Sequence, residues 1–296
     1  MIVSCGEALV DLVPEAVPGG GPMNVAVAAA RLGVPSAFVG GVSNDEYGHM
    51  IWQHLVDNGV DLRAAQRFAA PTARAIVDHV PHLVFRFEGT STADTQVRQV
   101  DLSLLGPGPH VLHGGTLGLF RGDTAETLAR LVESHCGIVS LDPNIRPQII
   151  EDRAQWEHFH DRWLTHTSIY KGSDEDLAWI WPGRSPDSIA EELVAGSVVA
   201  VLITRGADGL SVITSRGEQR VPSPEVTVID TVGAGDTIVG AVLATLWELG
   251  DGNGSLPLGA VDEASWALAA RRAVAAAGVT VSRAGADPPT RDEIAW

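Results

Sequence analysis

Short β-branched, apolar runs alternate with segments of helical periodicity along most of this 296-residue chain, and that alternation limits the folds open to it. Strands are predicted at Ile2–Ser4, Ser36–Val42, His110–His113, Gly137–Leu141, Ser168–Lys171 and Val199–Thr204. Helices are predicted between them at Asn24–Leu32, Gly48–Asn58, Thr124–His135, Asp174–Ile180 and Pro186–Ala195. Near-continuous apolar strands separated by helices belong to a mainly parallel sheet covered on both faces, an α/β sandwich. No repeat or interdomain linker divides the sequence, so a single unit over residues 1–296 is expected, long enough to bury a substantial core. One segment breaks the rhythm. Thr72–Val80 and Leu83–Phe87 are β-rich and joined at Pro81-His82 without a helix, which predicts a hairpin projecting from the sheet as a small lid. Near the end, Gly250–Gly259 is predicted as a surface loop, and Ser265–Ala277 as a helix that Gly278 ends or bends.

Composition narrows the function. Hydrophobic residues make up 45% and charged residues 19%, as in a soluble globular enzyme. A formal net charge of -17 opposes binding to nucleic acid or to an anionic membrane surface, both of which attract clustered Lys and Arg. The first residues lack the pattern of a signal peptide, and no apolar run approaches the ~18 residues that span a bilayer. Cys5 and Cys136 each adjoin an apolar run and are predicted as buried thiols in a reducing compartment, so a cytoplasmic location is expected. His79 with His82, and His158 with His160, read as surface histidines, and no Cys or His spacing suits structural zinc.

The strongest chemical signal is Asp230-Thr231-Val232-Gly233-Ala234-Gly235-Asp236, followed by an apolar helical pattern over Thr237–Leu249. Gly233 and Gly235 permit a tight turn, and Gly233, Ala234 and Gly235 would present backbone N–H groups at a helix start. Such a nest, with the positive end of the helix dipole behind it, is an anion site. Asp236 in the same turn can accept a proton from an attacking hydroxyl. Taken alone, a Gly-Asp before a helix is more often a cap. A second signal is Gly20-Gly21-Pro22-Met23-Asn24-Val25-Ala26, whose glycines let the backbone approach a polyol and whose Asn24 can both donate and accept.

Both runs, in this order, resemble the two signature motifs of the PfkB, or ribokinase-like, carbohydrate kinases. The resemblance extends along the chain. Gly6-Glu7-Ala8-Leu9-Val10-Asp11 is similar to the opening of the fructokinase-type subgroup, as are Gly40–Asp45 with Gly48, Glu88-Gly89-Thr90 and Ala93-Asp94. Asp142-Pro143-Asn144-Ile145-Arg146-Pro147 resembles another characteristic stretch.

The resemblance implies a ribokinase-like three-layer α/β/α sandwich, with a small β lid at approximately 11–20 and 72–87. It also implies an ATP-dependent sugar kinase acting with Mg2+, most closely a fructokinase, and allows a homodimer. Asp236 would be the base, the Gly233–Gly235 amides the anion hole, and Arg146 a charge partner of the transferred phosphoryl group. Asp11, Gly20, Gly21, Asn24 and Asn144 would position the sugar. Lys171, Ser173 and Asp176 match a polar-x-x-acid region that organises the nucleotide in relatives, with Asp176 in place of the commoner Glu. Thr204, Gly206 and Gly209 match a nucleotide-binding turn, and Ala273, Val274 and Ala277 match positions that pack small residues against adenine. Asp230 and Val232, with Ser282–Ala286, match a loop that binds K+ in several relatives.

Two departures stand out. Only Leu12–Pro18 separates Asp11 from the Gly19-Gly20-Gly21 run, shorter than is usual, so the lid is expected to reduce to the Thr72–Phe87 hairpin and a short connection. Arg205 occupies a usually apolar position, with nucleotide phosphate as its one suggested contact. The alternatives beside fructokinase are a 2-dehydro-3-deoxygluconate kinase and, in another class, a non-catalytic sugar or nucleotide sensor; a nucleoside kinase fits less well. The sensor would be marked by loss of Asp236 or the glycines, all of which are present.

Overall fold

A computed structural model describes residues 1–13, 15–78, 84–108, 110–250 and 258–296. In chain order the elements begin with β1 (Ile2–Cys5), β2 (Leu9–Val13), β3 (Glu15–Gly19), α1 (Gly21–Arg31), β4 (Ser36–Val39), β5 (Gly41–Ser43) and α2 (Glu46–Asp57). There follow β6 (Gln66–Phe68), β7 (Arg74–Asp78), β8 (Val84–Glu88), β9 (Val111–Gly115), α3 (Gly122–Ser134) and β10 (Val139–Asp142). The second half holds α4 (Arg153–His166), β11 (Ile169–Ser173), α5 (Asp174–Ile180), α6 (Pro186–Ala195) and β12 (Ala200–Thr204). It closes with β13 (Leu210–Thr214), β14 (Gly217–Val221), α7 (Ala234–Leu249) and α8 (Glu263–Val281).

Eight strands form the central sheet in the order β14-β13-β12-β11-β10-β9-β1-β4. The pairs from β4 to β12 are parallel, and β13 and β14 add antiparallel at one edge. Side chains alternate across a strand, and here both faces are dry. Ile2, Ala200 and Leu202 point into one core with α1, α7 and α8, while Val3, Val201 and Ile203 point into another with α3, α4, α5 and α6. That is the expected three-layer sandwich.

Several elements differ from expectation for identifiable reasons. The predicted strand Ser36–Val42 divides at Gly40, where any Cβ would meet the Gly6 carbonyl; β4 joins the central sheet and β5 pairs with β6 instead. The expected short connection at Leu12–Pro18 is a hairpin: β2 and β3 pair antiparallel and join β7 and β8 in a second sheet ordered β3-β2-β7-β8. Pro18 is tolerated within β3 because that strand lies at the edge. The joining residues 79–83 of the second hairpin, with His79 and His82, lie outside the described residues, as do residues 251–257 of the predicted loop.

Helix α4 went unpredicted, yet Trp156, Phe159, His160 and Trp163 are its buried face at helical spacing, and the Asp152 carboxylate caps it. His160 is therefore no surface residue: it stacks on Trp156 with ring centroids 4.7 Å apart and pairs with the Tyr170 hydroxyl. Cys136, expected to be buried, is exposed, whereas Cys5 is buried. Gly278 does not end α8, which continues to Val281; its bare backbone makes room for Pro224.

The contact that positions the site is between α1 and α7. A Cβ on Gly240 would stand 2.7 Å from that of Ala28, so the helices meet with almost no side chain between them. Gly240→Leu should force them apart and cost about 1–3 kcal/mol. Urea unfolding should show this together with a fall in catalytic turnover, because each helix carries one half of the site described next.

Candidate active site

The carboxyl ends of the parallel strands open into a cleft of about 450 Å3, the usual location of a site in such a sheet. Asp236 stands in the first turn of α7, buried, and its Oδ2 accepts a hydrogen bond of 2.8 Å from Asn24 Nδ2 on α1. Burial raises the Asp236 pKa above the ordinary carboxylate range, with the Asn24 bond and the charges of Lys171 and Arg146 pulling the other way. The turn before it depends on Gly233, whose φ of 78° lies in the left-handed region and whose Cβ would stand 2.5 Å from that of Ala286. Gly233 and Gly235 line the cleft at the start of α7, whereas Ala234 does not, and its amide donates to the Thr231 carbonyl at 3.3 Å.

Opposite lies the predicted sugar side. Asp11, Gly20, Gly21, Asn24 and Asn144 all line the cleft, and so does Arg146. Burial pushes Asp11 up to about 7, with Asp236 adding to the shift and Arg146 opposing it. Sequence reasoning missed the support beneath this side. Glu7 is buried, and its two oxygens accept from Gly21 N at 3.2 Å and Gly118 N at 2.9 Å, tying the start of α1 to the segment after β9. Burial pushes Glu7 up to about 7 despite the Gly118 bond. A lone Glu in the Gly6-Glu7 opening gave no sign of a partner 111 residues away. Thr116 was also missed; it lines the cleft and accepts from Asn144 Nδ2 at 3.3 Å.

At the nucleotide side, Lys171, Ser173, Asp176, Thr204 and Val232 line the cleft. Lys171 is buried, with Nζ 2.8 Å from Asp142 Oδ2 and 2.9 Å from where a Gly235 Cβ would stand. Burial works against its charge, but Asp142, Asp176 and Asp236 outweigh it and raise its pKa. Asp142 is held up at about 6, by burial first and against the pull of Lys171.

Ser173 and Asp176 are committed to each other in a capping box at the start of α5, and Asp176 Oδ1 also accepts from Ile145 N at 2.7 Å. Asp176 thus fixes the Asn144–Arg146 loop. Asp230, just outside the lining, joins two loops, accepting from Val232 N at 3.0 Å and Gly285 N at 2.9 Å. Gly206 and Gly209 form the turn between β12 and β13, and Ala273, Val274 and Ala277 are buried on α8 in the core shared with α7; none of these five lines the cleft. Arg205 is held by Asp174, Asp187 and Ser211, so its guanidinium clamps the start of α5 to that of α6. Among the described residues no group of three or more His, Cys, Asp or Glu forms a metal cage, and no helix is long and apolar enough to cross a membrane.

Comparison with known proteins agrees with this geometry. Residues 13–293 match the pfkB family of carbohydrate kinases. The chain belongs to that family. It is therefore a phosphotransferase acting on an alcohol group, on a ribokinase-like fold. A fructokinase of Rhizobium leguminosarum bv. trifolii is 35% identical over 259 residues, covering 83% of this chain and 79% of that one. The structure of a Vibrio cholerae O395 fructokinase with fructose, ADP and calcium bound superposes with a TM-score of 0.83 at 28% identity, covering 96% and 94% of the two chains. A Salmonella enterica aminoimidazole riboside kinase, bound to that riboside and an ATP analogue, gives 0.83 at 30% identity with the same coverage.

The Lys171–Asp142 pair carries a cost that can be measured. Lys171→Met leaves a buried carboxylate without its cation and should destabilise the fold by about 3–5 kcal/mol near neutral pH. A carboxylate with a raised folded pKa loses stability as pH climbs above its unfolded value of about 4, so the defect should be smallest near that pH and deepen toward neutrality. Adding Asp142→Asn should recover part of the loss. Urea midpoints across pH for the single and double variants provide the comparison.

Proposed function

We propose that this kinase transfers the γ-phosphoryl group of ATP to a hydroxyl of a small sugar, with fructose as the favoured acceptor. The observation that carries the reading is the buried Asp236 carboxylate, held by Asn24 in a cleft lined by Asp11 and Gly21 and by Gly233 and Gly235 at the start of α7. The 35% identical fructokinase and the fructose-bound neighbour support fructose as the acceptor.

Asp11, Gly21, Asn24 and Asn144 hold the sugar so that one hydroxyl faces Asp236. Asp236 takes the proton of that hydroxyl as its oxygen bonds to the γ-phosphorus and the bond to the β-phosphate oxygen breaks, releasing ADP. The α7 amides, Lys171 and Arg146 face the charge that gathers on the phosphoryl oxygens. Mg2+ bound with the nucleotide would supply neutralisation of part of that charge, and Glu175 and Asp176 are acidic groups of the cleft lining beside which it would be held. The loop that Asp230 ties to Gly285 is the place for a K+ ion. The four-stranded sheet serves as the lid: Leu9 and Asp11 of β2 and Phe87 of β8 line the sugar side and would exclude water there.

ADP release should be measured with fructose, 2-dehydro-3-deoxygluconate, ribose, aminoimidazole riboside and a nucleoside. Turnover should be highest with fructose; turnover with none, alongside tight sugar binding, would establish the sensor instead. Asp236→Asn should lower kcat by about 10²–10⁴. Because the base has a raised pKa, kcat/KM of the parent should rise with pH along a limb above the ordinary carboxylate range. Asn24→Leu removes a bond that lowers the Asp236 pKa and should move that limb to higher pH.

A further inference from the structure

Thr116 and Asn144 are the non-glycine residues with positive φ among those described, at 48° and 41°. Both lie just past the ends of neighbouring parallel strands: Gly115, the last residue of β9, is in register with Asp142, the last of β10. Both line the same cleft, and their side chains meet at 3.3 Å. A left-handed backbone is ordinary for asparagine but a steric outlier for a β-branched residue, and such conformations gather at functional sites. A glycine would adopt the Thr116 backbone without strain. What threonine adds is a hydroxyl in the cleft.

That hydroxyl is closely placed. Thr116 is 8% exposed, and its Oγ lies 2.6 Å from where a Gly21 Cβ would stand. The same point is 3.5 Å from Asp236 Oδ1. Oγ accepts from Asn144, and its own proton meets no acceptor among the described residues. It is thus a donor, fixed at one end, facing the space beside the proposed base.

We propose that Thr116 determines acceptor specificity: its hydroxyl donates to an oxygen of the bound sugar while accepting from Asn144, and so sets the sugar's reactive hydroxyl against Asp236. The inference rests on the sugar-kinase reading above. A site built to hydrogen-bond a substrate hydroxyl discriminates against the analogue that lacks it.

The test compares the parent with Thr116→Val, Thr116→Ser and Thr116→Gly on fructose and its monodeoxy analogues, or on the corresponding analogues of whichever sugar the panel selects. The parent should lose about tenfold or more in kcat/KM on one analogue. Thr116→Val should lose a similar factor on the intact sugar, show no further loss on that same analogue, and keep its KM for ATP. Thr116→Ser should restore the parent pattern. Thr116→Gly, freed of the strained backbone, should melt no lower than the parent yet share the specificity defect. The inference fails if Thr116→Val discriminates among the analogues as the parent does, or if Thr116→Gly melts clearly lower, marking the residue as structural. A parent inert on every sugar overturns the acceptor reading itself, and the melting comparison then still decides whether the backbone at residue 116 is strained.

Discussion

The site depends on one buried ammonium group. Lys171 sits in β11 with Asp142 beside it and with Asp176 and Asp236 acting on its charge. Gathering carboxylates in a dry cleft is costly, because each loses hydration and repels the next. A cation at their centre reduces that cost and favours the ionised form of Asp236 against its burial. The same cation stands next to Gly235, where phosphoryl oxygens would approach the α7 amides. Fold stability and charge handling therefore meet in a single side chain, and the parallel sheet brings them together by ending its strands at one rim.

Around that centre, hydrogen bonds between distant segments fix the geometry. Asn24 reaches Asp236 from α1, Glu7 spans from the loop after β1 to Gly21 and Gly118, and Asp176 holds the backbone at Ile145. None of these acidic residues outside Asp236 needs to touch a reactant to matter; each fixes a loop whose neighbouring residues face the cleft. The bare contact at Gly240 brings α1 and α7 close enough for the Asn24–Asp236 bond to form.

Much of this was legible in the sequence because it rests on residues with few backbone alternatives. Gly233, Gly235 and Asp236 announce a helix-start anion site, and Gly20, Gly21 and Asn24 announce its partner. The continuous apolar run Ala200–Ile203 reads as a strand buried on both faces. Where the sequence misled, tertiary context had overridden a local rule. Leu12–Pro18 was expected as a short connection, yet it forms a hairpin whose outer strand lies at the edge of a small sheet. His160 looked polar enough for the surface, yet Trp156 and Tyr170 satisfy it inside. Arg205 was matched to a phosphate and is instead held by Asp174 and Asp187. Thr116 carried no mark at all, because strain resides in φ rather than in residue type.

The Asn24–Asp236 bond spans 212 positions of chain. A ribosome emits Asn24 early, and every strand from β4 to β12 has been made before Asp236 appears. Domains generally fold as units during synthesis. Because α7 and α8 fill the same core as α1 and the sheet, the two sides of the cleft are completed together, when α7 docks on α1. Turnover by this protein is, in effect, a readout of completed assembly.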